Sequence, residues 1–95
     1  MKLVTVEAVV ASSDLADVIS LFSEHAADVL NMKGCQRYAL FCNPSGEGIA
    51  VLQQWESMAY FDDYRASSTF ARLGQGLLPL MKAPPVTTVA EVDTV

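Results

Sequence analysis

The side chains able to do chemistry in this sequence are few, and most of them gather at one junction. The stretch VLQQWESMAYFDDY, residues 51–64, holds the only tryptophan, Trp55, and two of the three tyrosines. It reads as an apolar strand ending at Trp55 and running at once into a short aromatic helix. On the strand, Gln53 lies two residues before Trp55 and so on the same face. The ring of Trp55 can be core, buried with its N–H satisfied, or the floor of a pocket for a planar ligand. In the second case Gln53 is a polar group able to orient that ligand.

His25 is the only histidine and the only side chain whose ordinary titration falls near neutrality, which makes it the default general base. It follows Phe22 by three residues, at the edge of an apolar helical stripe. The alternative is a boundary histidine bonded to Glu24 or Asp28. Tyr60, Phe61 and Tyr64 form an aromatic cluster at helical spacing, with Tyr60 a proton donor and Phe61 either core or ligand wall. One histidine and two cysteines apparently on one strand make no zinc or iron site, so no metal is expected. Gly74-Gln75-Gly76 lacks the third glycine and the preceding strand of a dinucleotide loop, and no phosphate loop or nucleophile elbow occurs.

The elements that must position these groups follow from hydrophobic period and punctuation. KLVTVEAVV (2–10) reads as a strand. Ser12, Ser13 and Asp14 offer a helix cap, and Leu15, Val18, Ile19, Phe22, Ala26, Val29 and Leu30 recur at helical spacing, which predicts a helix over 14–32. Lys33-Gly34 supplies its left-handed stop. CQRYALFC (35–42), the turn NPSGEG and IAVLQQW (49–55) predict a hairpin. Ser57 can cap a helix over 58–65, and Ser67 or Ser68 another from 69 to about 82, weakened by Gly74, Gly76 and Pro79. VTTVAEV (86–92) is the last strand. The order β-α-β-β-α-β is the split βαβ pattern of ferredoxin-like α+β folds with a four-stranded antiparallel sheet.

Ninety-five residues, 52% apolar and 18% charged, make one globular domain over 1–95. A net charge of -5, with no run of basic residues, argues against nucleic acid and anionic membrane surfaces as partners. MKLVTVEAVVASS resembles a short signal peptide, but Glu7 interrupts its apolar run and the fold needs a first strand there. Cys35 and Cys42, an odd number of residues apart, are expected on opposite strand faces and roughly 23 Å apart, too far to bond. Free thiols suggest the cytoplasm. The strands are apolar on both faces: Val4, Val6 and Val10 oppose Leu3 and Val9, and Ile49, Val51 and Trp55 oppose Ala50 and Leu52. Two or three helices cover one side only, so the other predicts a second sheet, most simply that of an identical chain.

Four segments in this order, GCQRYALFCNP, VLQQWES, AYFDDYRASSTF and LLPLMKAPP, give the chain a resemblance to the antibiotic biosynthesis monooxygenase family. The resemblance spans almost the whole chain. It implies a dimeric α+β barrel, a homodimer whose two sheets face each other, with a pocket in each subunit between helices and sheet. Family members include cofactor-free oxygenases of aromatic polyketides and quinols, haem-degrading enzymes and an isomerase of a signalling sugar. The haem-degrading branch pairs a strand-end Trp with an Asn in the first strand and an axial His in the last helix. Here only Trp55 matches, and Leu73 and Gly74 stand where the His would fall.

Two functions are therefore expected. One is a cofactor-independent monooxygenase of small aromatic or quinol-like substrates. In it His25 is the base, Trp55 N–H or Gln53 stabilises the oxyanion, and Phe22, Gln53, Tyr60, Phe61 and Leu73 contact the substrate. The other is a non-catalytic dimer that binds a small apolar molecule or serves in interaction.

Overall fold

A computed structural model describes residues 1–92, and the end of the expected 1–95 domain lies outside the described residues. The elements are β1 (Lys2–Val9), α1 (Leu15–Leu30), β2 (Cys35–Cys42), β3 (Gly48–Trp55), α2 (Met58–Arg65), α3 (Ser68–Leu77) and β4 (Val86–Glu91). Short 3-10 turns stand before α1 at Ser12–Asp14 and after α3 at Leu78–Leu80. The four strands form one antiparallel sheet in the order β2-β3-β1-β4, the ferredoxin-like arrangement expected from the element order.

Local chemistry accounts for the boundaries. Asp14 does not cap α1, because it already has helical backbone angles (φ -98°, ψ -3°) and continues the 3-10 turn, whereas a capping acceptor needs an extended residue. After α1 the chain reverses through Gly34 at φ +85°, where a Cβ would also collide with the Tyr60 ring. Only glycine meets both demands cheaply. Ser67 does cap α3, its Oγ accepting from Phe70 N at 3.1 Å. The helix expected to reach about 82 stops at Leu77, because Pro79 sits in the 3-10 turn that follows and cannot continue an α-helix.

The helices cover one face of the sheet. Along β3, Ile49, Val51, Gln53 and Trp55 are buried while Gly48, Ala50, Leu52 and Gln54 are half-buried. Val4, Val10, Val18, Val29 and Trp55 form the fully buried centre of the core. α1 packs against β2 and α3, and α2 against β3 and α3. Gly76 permits this closeness: a Cβ there would stand 2.8 Å from Cδ2 of Leu21 on α1. All six residues of β4 are exposed.

One expectation about β2 fails. A bulge between Cys35 and Arg37 shifts the register, so Cys35 pairs with Trp55 and Cys42 with Ile49. Those partners share a face, and so do the two cysteines, because the extra residue of a bulge inverts the parity that counting along a regular strand assumes. Both thiols are free.

Candidate functional site

Between the sheet and the α2–α3 layer lies a cavity of about 220 Å³. Its floor is Val6 and Ala8 of β1 with Ile49, Val51 and Gln53 of β3. Tyr38 of β2 and Phe61 and Tyr64 of α2 wall one side, and Phe70, Leu73, Gly74 and Leu77 of α3 form the roof. Arg65, Leu78, Met81, Pro85 and Thr87 complete the lining. Of these, Arg65, Leu78 and Thr87 are exposed and mark the mouth. The lining is apolar apart from a few oriented groups, the pattern of a small-molecule site.

Two hydrogen-bonded pairs provide the polarity inside. Trp55 Nε1–H donates to Gln53 Oε1 at 3.0 Å, both residues being buried. The amide N–H2 of Gln53 makes no hydrogen bond to another described residue, and Gln53 lines the cavity. Beside them, the hydroxyls of Tyr38, the cross-strand partner of Gln53, and Tyr64 meet at 2.8 Å. Burial is the leading cause that pushes both phenols above their ordinary range, so at neutral pH each keeps its proton. One O–H is used within the pair, and the other remains free to turn to a ligand.

The rings are continuous. Phe22 stacks on Tyr38 with centroids 4.9 Å apart. Tyr38 meets Tyr64 edge-on at 5.8 Å, and Tyr64 stacks on Trp55 at 5.4 Å. Arg65 sets its guanidinium 5.7 Å from the centre of Phe61.

The structure brings Gln53, Phe61 and Leu73 to the cavity and leaves four of the expected site residues outside its lining. Trp55 is 0% exposed, behind Gln53 and beneath Tyr64, so it touches the space only through them. Phe22 and His25 lie on the buried stripe of α1 with Val18 and Val29, and no residue of α1 lines the cavity. Among the described residues His25, 8% exposed, makes no hydrogen bond to Glu24 or Asp28. Tyr60 packs over Gly34, with the Lys33 ammonium 5.8 Å from its ring centre. It is one helical step from Phe61, hence on the flank of α2 rather than its inner face.

Tyr38 is the participant that sequence reasoning missed. Its signal was present in the period-two pattern, since it pairs with Gln53 across β2 and β3, but its partner Tyr64 is 26 residues away. Among the described residues no cluster of His, Cys, Asp and Glu could hold a metal ion, and no helix is long and apolar enough to cross a membrane.

A four-stranded antiparallel sheet with its helices on one face, over an apolar cavity, defines a ferredoxin-like α+β domain. The family model for antibiotic biosynthesis monooxygenases matches residues 1–75, and the chain belongs to that family. Solved structures agree on the fold. A candidate antibiotic biosynthesis monooxygenase of Caulobacter crescentus is 23% identical with a TM-score of 0.90, covering 98% of this chain and 90% of its own. Another from Nitrosomonas europaea has a TM-score of 0.91 at 9% identity, with 97% and 98% covered. A protein of unknown function from Bacteroides thetaiotaomicron, described as a possible oxidoreductase, has a TM-score of 0.86 at 16% identity, with 96% of each chain covered. At such identities the likeness is one of fold. No curated protein matches the sequence.

Proposed function

We propose that the chain is a cofactor-independent monooxygenase of small aromatic, quinol-like substrates, and that the cavity is its active site. The observation that carries this reading is an apolar enclosure, in the antibiotic biosynthesis monooxygenase family, whose sheet end presents amide and phenol donors. Donors there would hold a substrate through its oxygen and stabilise negative charge on that oxygen as it develops. The substrate enolate or phenolate supplies the electrons. It reduces dioxygen, the resulting peroxide forms at ring carbon, and loss of water leaves a carbonyl, so CH2 and O2 become C=O and H2O. The protein contributes a dry site and orientation.

No histidine or carboxylate lines the cavity, so the proton is lost through the substrate's own acidity. His25→Ala should then lower turnover less than tenfold, against the hundredfold or more of a lost general base. The same observation favours the second reading, a binding protein without turnover. Fluorescence titration of Trp55 with hydroxylated naphthoquinones and anthrones, followed by oxygen uptake with the same compounds, separates the two. Binding with oxygen uptake supports the enzyme, and binding without it supports the binding protein.

The working unit is proposed to be a homodimer. The sheet face away from the helices carries Leu3, Val9, Ala39, Phe41, Ala50, Leu52, Val86 and Ala90, by the strand register. Phe41 is 49% and Val86 60% exposed, and an identical sheet would cover both. Native mass spectrometry at micromolar concentration should give mainly the doubled mass, and a stable monomer would refute the dimer. The two free thiols, Cys35 and Cys42, support a cytoplasmic setting.

A further inference from the structure

We propose that Trp55 is a positioning residue that fixes the polarity of the cavity by holding the Gln53 amide in one orientation, so that the site prefers ligands presenting an oxygen acceptor. This rests on the cavity being the ligand site. An indole N–H can only donate, so the Gln53 group 3.0 Å from it must be the carbonyl. A flipped amide would set two donors against each other in the core, with Trp55 fully buried and Gln53 2% exposed. The N–H2 is thereby committed to the cavity. The contrast with the second pair is chemical. A phenol hydroxyl rotates and can either donate or accept, so Tyr38 and Tyr64 suit a ligand of either kind. Gln53 is the one polar group on the floor whose sense cannot change while Trp55 is present.

Two small bicyclic probes of similar shape test this: 1-tetralone, whose carbonyl only accepts, and 1,2,3,4-tetrahydroquinoline, whose N–H donates. Calorimetric titration of the wild-type chain should show tetralone bound roughly tenfold more tightly, the scale of one net hydrogen bond. In Trp55→Phe the amide is free to turn, and the preference should shrink to roughly twofold or less. Gln53→Met should remove the preference as well, and adding Trp55→Phe to it should change nothing further, because the two act as one unit. Wild-type chain labelled with nitrogen-15 gives a readout that needs no folded variant. Tetralone should shift the Gln53 side-chain N–H2 pair, and an unmoved pair at saturation would overturn the proposal. Tetralone binding with its preference intact in Trp55→Phe would overturn it while leaving the cavity as a binding site. Failure of the wild-type chain to bind either probe would remove both.

Discussion

The two faces of β3 carry similar residues and meet opposite fates. On the helix side Ile49, Val51, Gln53 and Trp55 are buried, and on the other Gly48, Ala50, Leu52 and Gln54 remain half-exposed. Alternation of burial is present although alternation of residue type is weak: Val51 is hardly more apolar than Leu52. A strand of this kind is finished on one side within the chain and left open on the other. The completed side encloses the cavity, and the open side is the proposed seat of a second subunit.

Truncation on the finished side should have the largest effect. Trp55→Ala removes a fully buried ring that stacks on Tyr64 and bonds Gln53, and should cost about 3–5 kcal/mol in denaturant unfolding. A loss below about 1 kcal/mol would mean that this face is not the core. Leu52→Asp on the open side should act through association instead. The doubled mass should give way to a single chain, and stability should fall by about 3 kcal/mol at protein concentrations a hundredfold above the dimer constant. An unchanged dimer would break the comparison.

A finer contrast lies within the finished side. Tyr38→Phe keeps the stacked ring and deletes one hydroxyl of the pair, so urea unfolding should show a loss of about 1 kcal/mol. The pH dependence then has a definite sign. Both phenols ionise at higher pH in the folded state than their ordinary value of 10.0. Their contribution is therefore fully present below about pH 10 and fades as pH rises towards the folded-state values, because the unfolded chain releases the protons first. Stability measured from pH 8 to 11 should be level and then decline, with a shallower decline in Tyr38→Phe.

The same comparison explains what could be read without the structure. Local signals sufficed for α2, expected over 58–65 and found at Met58–Arg65, and for placing Gln53 on the same face as Trp55, which needs only a period of two. That the two bond each other was not read from it. The bulge at Cys35 and Arg37 was invisible, because an extra residue in one strand is defined only by the register of its neighbour. The Tyr38–Tyr64 bond was invisible for a related reason, since it joins a strand to a helix across 26 residues. Phe22 and His25 were expected at the pocket from the apolar stripe of α1, but no residue of α1 lines the cavity, because that stripe packs elsewhere in the core. Gly76 read as a weakness of α3, yet its missing Cβ is the clearance that Leu21 requires.

Gly74 has a different character. It lines the cavity, and a Cβ added there would meet no atom within 4 Å. Most roof positions cannot change size without disturbing the core, but this one can gain a methyl or hydroxymethyl group at the expense of empty space alone. The capacity of the chamber is thus adjustable at a single codon, and alanine would also raise helix preference by about 1 kcal/mol.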